Sequence, residues 1–163
     1  MKLTIPAPLK IIALVVGATA LYTYIGQLVP QKEVLPPVET VMSDDMTTDE
    51  LVQVGLEIAQ GKGLCFTCHT VGKSGALRFP DLGGIANTAE SRIDGMGSLE
   101  YLAQSIYQPD VFIVDGYNPG MPQIDKPPIG LSDQEIIAVI AYLQSLGGTP
   151  TVTLETTKAD MGM

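Results

Sequence analysis

Cysteine, histidine and basic residues are all scarce in this chain, and each shortage narrows what it can be. Two cysteines among 163 residues leave no disulfide framework that could staple a loop-rich fold. One histidine rules out any metal held by two imidazoles of the same chain. Nine basic residues face 18 acidic ones, for a formal net charge of -9 and a pI near 4.3. A nucleic-acid partner needs a basic footprint and is therefore excluded, while a charged protein partner should be basic. Strand-like alternation of useful length and internal repeats are missing too, which points to an all-α fold.

Apolar residues, by contrast, make up 45% of the chain, and many of them sit together near the N-terminus. From Ile11 to Val29 the sequence runs without a charge, between Lys10 and the Pro30-Gln31-Lys32 flank. As a helix this run reaches roughly 28 Å, close to the thickness of a bilayer core. A cleavable signal peptide competes with this reading, because Lys2 and Lys10 form a basic leader and Ala18-Thr19-Ala20 has the small-x-small form of a cleavage site. The run continues well past Ala20, with Tyr22 and Tyr24 near its outer end, which favours a membrane anchor. The two lysines keep residues 1–10 cytoplasmic, make 11–29 a single span and send the rest to the periplasmic or extracytoplasmic side. Seven of the nine basic residues and all 18 acidic ones then lie outside.

Residues 30–47 carry Pro30, Pro36 and Pro37 with Asp44 and Asp45, the composition of a semi-rigid acidic linker. At about 3.1 Å per residue it reaches up to roughly 50 Å from the membrane, and an ordered arm on a neighbouring subunit is the competing reading. A globular domain is expected over 48–148. Thr47 and Glu50 form a capping box ahead of Leu51, Val54 and Ile58, one apolar helical stripe that runs toward Gly61 and Gly63. Gly55 interrupts that helix at about 1 kcal/mol relative to alanine, so another backbone should approach there. A second helix is predicted from Ser98 to Tyr107, stopped by Pro109. The third starts at the Ser132–Glu135 capping box, with Leu131 and Ile136 as a hydrophobic staple, and ends at Gly147-Gly148. The polar tail 149–163 has no helix signal and reads as a flexible end or a docking arm.

Between these helices lie two long glycine-rich connections, 70–97 and 108–131, and three short helices cannot close a core around them by side chains alone. The segment "CFTCH" supplies the missing body. Cys65, Cys68 and His69 form C-x-x-C-H, the attachment sequence of a c-type haem, in which two thiols add to the macrocycle and the imidazole binds iron. A structural zinc site would need carboxylates to complete its four ligands, and a redox dithiol would need a strand before the motif, where this one follows a helix. One covalently attached haem c is the cofactor these residues call for.

The sixth position of the iron is then a methionine, another weak donor, or open. Of seven methionines, Met121 in "GYNPGMPQ" is the best candidate, because Pro119 and Pro122 stiffen its loop while Gly116 and Gly120 permit close approach. Met96, flanked by glycines, is the runner-up, and a core-filling role for Met121 is the bland alternative.

Over residues 48–148 the sequence resembles the class I cytochromes c. The resemblance rests on the glycine-containing first helix, C-x-x-C-H, "FPDLGGI", "SRIDG" with "EYLAQSIYQPD", "GYNPGMP" and the closing amphipathic helix. It implies an all-α cytochrome c fold around one haem, with the first and last helices crossing where Gly55 meets the stretch from Ala138 to Tyr142. It also implies that the Pro80 carbonyl accepts a hydrogen bond from His69, and that Arg92 and Tyr117 bind a haem propionate. The expected function is one-electron transfer rather than catalysis: a membrane-anchored carrier, respiratory or photosynthetic, working between or within membrane redox complexes. Three alternatives stay open: a gas-binding sensor, a peroxidase-like protein with a vacant sixth iron position, and a mainly structural haem subunit of a larger complex.

Overall fold

The computed structural model describes residues 5–30, 42–43 and 45–163, and its regular structure is entirely helical over those residues. The chain divides into two compact units, Met1–Pro36 and Pro37–Met163.

The first unit is one helix, α1, Ala7–Leu28, with Pro6 at its N-cap. It begins four residues before the predicted run, with Pro8 in the first turn, where its fixed φ suits the helix and its missing N–H leaves no bond unmade. None of its residues is buried, and apolar groups cover its whole circumference. By length and composition it could cross a membrane, and a signal sequence meets the same criterion.

Five helices form the second unit: α2 (Thr48–Gln60), α3 (Cys65–Cys68), α4 (Ile85–Ala89), α5 (Ser98–Tyr107) and α6 (Asp133–Ser145). Both expected capping boxes form. Thr47 and Ser132 accept from the backbone N–H groups of Glu50 and Glu135, whose carboxylates return to the N–H groups of Thr47 and Ser132 at 2.8 and 2.7 Å. At α5 only the return half exists, from Gly97 N–H to Glu100 at 3.1 Å, because glycine has no side chain to offer. Every residue of α6 from Ile136 to Gln144 is buried, so this helix is the centre of the core, and Leu131 and Ile136 of its staple are both buried.

Gly55 is where α2 and α6 meet. A Cβ there would lie 1.9 Å from the Ala138 carbonyl oxygen and 2.9 Å from Tyr142 Cβ, so the two backbones touch and only glycine fits. Lys62, just beyond α2, ties to Glu135 in the first turn of α6 with 2.8 Å to each carboxylate oxygen. Burial alone would push the Glu135 carboxyl up, but the lysine and the cap hold it below its ordinary value.

Two expectations from sequence change. The tail 149–163 is not a flexible end: Val152 and Met161 are among the most buried side chains in the molecule. Gln144, buried on α6, exchanges two hydrogen bonds of 2.9 Å with Thr151, and Lys158 pairs with Asp133 at 2.9 Å while lying 4.7 Å from the centre of the Tyr107 ring. The tail therefore completes the core that the sequence seemed to lack on that side. Most of the linker expected over 30–47 lies outside the described residues; within it, Met42 and Met46 pack against the core, so its end belongs to the folded domain.

Candidate functional site

Short α3 is the C-x-x-C-H motif itself, wound into one turn with Leu64 at its N-cap in the left-handed conformation, φ 55°. One helical turn is what the spacing requires, since residues three apart lie on one face. Neither cysteine is in a disulfide; Cys65 is half-buried and Cys68 exposed.

His69 follows directly, and its Nδ1 lies 2.8 Å from the carbonyl oxygen of Pro80. A carbonyl can only accept, so Nδ1 carries the proton and Nε2 keeps the lone pair free for a metal. The Phe79 ring packs beside the imidazole, with centroids 6.3 Å apart and a tilt of 57°.

These residues open onto one cavity of about 330 Å³. Its walls come from α3, from the loop at Pro80 and Leu82, from Leu102 and Ile106 of α5, from the 108–131 loop and from Val139 and Leu143 of α6. Cys65, Cys68, His69, Pro80, Arg92, Tyr117 and Met121 all line it, although they are spread over more than fifty positions of sequence. Met121 is the one methionine in that lining. Met96, the runner-up from sequence, instead shares a separate cavity with Met161 and Met163. Among the described residues, Arg92 is the one charged side chain in the wall, and its Nε is buried with no hydrogen-bond partner. No carboxylate among the described residues lines the cavity. Nor, among the described residues, do any three His, Cys, Asp or Glu side chains gather as metal ligands.

Sequence reasoning passed over Asp81. Its carboxylate accepts from the Thr70 hydroxyl and from the backbone N–H groups of Gly72, Lys73 and Gly83, and these bonds, the Thr70 hydroxyl foremost, hold its pKa at about 2. Its only signal in the sequence is an aspartate between a proline and a pair of glycines, the composition of any turn.

Residues 55–147 match the family described as Cytochrome c, more than half of the chain. No curated protein matches the chain. That family implies one covalently bound haem c, and the cavity fits it on three counts. The walls are apolar, two cysteines outside any disulfide and an imidazole with its outer nitrogen available stand at one side, and the orphaned Arg92 Nε offers a buried donor to an anionic substituent.

Proposed function

The chain belongs to the cytochrome c family, and from that premise we propose a one-electron carrier tethered to a membrane by α1, with its haem domain on the extracytoplasmic side. The observation that carries this reading is the cavity that gathers the C-x-x-C-H turn, the Pro80-bonded imidazole and a single methionine into one apolar wall. When bound, the haem supplies one iron that alternates between ferrous and ferric.

The protein's part is to hold, tune and shield that iron. Cys65 and Cys68 would hold the haem through two thioethers, and His69 would offer Nε2 to its iron. Pro80 fixes the imidazole tautomer and orientation and raises the basicity of the ring. Met121 would supply a second protein ligand, a soft thioether that favours the reduced state. Arg92 and Tyr117 would hold the propionates, and among the described residues the arginine supplies the one positive charge in the wall. With both His69 and Met121 holding the iron, no position would be left for a substrate, and the site would pass electrons rather than transform a molecule.

The partners this surface fits are redox proteins with basic docking faces, in a respiratory or photosynthetic membrane complex, because the net charge of -9 draws them together across solution. Optical spectra of the purified protein with and without carbon monoxide test the site. A long-wavelength band from methionine on ferric haem, with negligible carbon monoxide binding to the ferrous form, is expected. Rapid carbon monoxide binding would favour the sensor or peroxidase-like alternative.

A further inference from the structure

We propose that Asp81 is a positioning residue for the His69 imidazole: its carboxylate latches the chain after the haem motif to the chain at Pro80, and so holds the carbonyl that orients the ring. This rests on His69 being an iron ligand.

The bond from His69 Nδ1–H to the Pro80 carbonyl, 2.8 Å, closes a loop whose middle residues, Val71 to Ala76, are all exposed. No buried apolar side chain pins that middle. Its two glycines, Gly72 and Gly75, have positive φ and add freedom. The Phe79 ring lies against the imidazole, but an apolar contact does not select a ring nitrogen.

Asp81 supplies what the loop otherwise lacks. One carboxylate oxygen accepts from the Thr70 hydroxyl at 2.5 Å and from Lys73 N–H at 2.9 Å, and the other from Gly72 N–H at 2.9 Å and Gly83 N–H at 2.8 Å. Leu82 N–H adds a bond to the Thr70 carbonyl at 2.7 Å. Thr70 directly follows His69 and Asp81 directly follows Pro80, so the His69–Pro80 and Thr70–Asp81 bonds are adjacent rungs. Displacing one displaces the other. The fit is also close: a Cβ on Gly83 would stand 2.6 Å from Gly72 N and 2.7 Å from the Asp81 carboxylate. Bonds to an ionised acceptor are about twice as strong as neutral ones, so this latch outweighs the loop's other ties.

The test uses full-length, haem-loaded protein as wild type, Asp81→Ala, Asp81→Asn and Thr70→Val. The readouts are hydrogen exchange of the His69 Nδ1–H by NMR in the reduced state, and the midpoint potential. Exchange should accelerate about tenfold or more in Asp81→Ala, the factor that loss of one charge-assisted bond carries in a local opening. Asp81→Asn, which keeps one acceptor oxygen, should fall between. Thr70→Val removes one rung and no charge, and should also speed exchange and raise the potential, since a looser Pro80 carbonyl leaves a less basic imidazole. Wild-type exchange and potential in Thr70→Val, with any potential change confined to the charge-altering variants, would overturn the proposal and leave Asp81 as a distant charge. If Asp81→Ala does not fold, Asp81→Asn and Thr70→Val decide. Wild-type His69 signals without the shifts of an iron-bound imidazole would overturn the ligation reading itself, and the proposal with it.

Discussion

At the scale of the residue, Gly55 and Met121 make opposite demands on their neighbours. Gly55 is needed for what it lacks, because the Ala138 carbonyl occupies the space of any Cβ. Gly55→Ala should therefore destabilise the domain by about 3 kcal/mol despite alanine's better helix propensity, as overpacking at a backbone contact does; thermal denaturation measures it. Met121, as the proposed iron ligand, would be needed for its sulfur. Met121→Leu keeps the volume and removes the thioether, so stability should change by less than about 1.5 kcal/mol. The potential should fall and carbon monoxide should bind, both read by spectroelectrochemistry. Asp81 adds a pH dependence. Its pKa is depressed to about 2 by the Thr70 hydroxyl and the three backbone N–H groups. The latch is thus at full strength above the ordinary carboxylate value of about 3.9 and is lost as pH falls from there toward 2. Amide exchange at Gly72, Lys73 and Gly83 should rise in that acid window and stay flat between pH 5 and 7, once intrinsic exchange is corrected for.

At the scale of the element, the parts legible in the sequence were those whose physics is local. Thr47–Glu50 and Ser132–Glu135 each carry a complete start signal in four residues, and the helices begin there. Ser132→Ala should cost about 1 kcal/mol, because it leaves a first-turn N–H of the central helix unpaired; chemical denaturation checks it. The site was readable in a different way. Cys65, Cys68 and His69 announce themselves by residue type and spacing and Met121 by its proline-bounded loop, while Pro80 was legible only through the family resemblance. Short α3 and α4 carried no periodic signal, since four or five residues cannot display one. The Asp81 latch depends on backbone N–H groups, which every residue but proline has. No pattern of side chains could have marked Gly72 or Gly83 as its donors.

At the scale of the whole molecule, the tail changes the account most. Read as polar residues, 149–163 suggested a flexible end or a docking arm; folded, it buries Val152 and Met161 and is fastened by Lys158 to Asp133 and Tyr107. Its few apolar groups are spaced too widely to form a stripe, and their partners lie on distant helices. Met161→Ala should lower stability by about 2–5 kcal/mol, the cost of emptying a filled core position, where a free tail would show no change in melting temperature. The acidic surface makes a further claim, that association with a basic redox partner slows steeply as salt rises, which stopped-flow kinetics can follow. All of this presupposes a haem joined covalently through Cys65 and Cys68. Trypsin cuts after Lys62 and Lys73, so mass spectrometry of the peptide between them decides the matter. The account predicts that this peptide carries the mass of one haem through acidified-acetone extraction. An unmodified peptide from the pigmented native protein, or a colourless native protein, would contradict it.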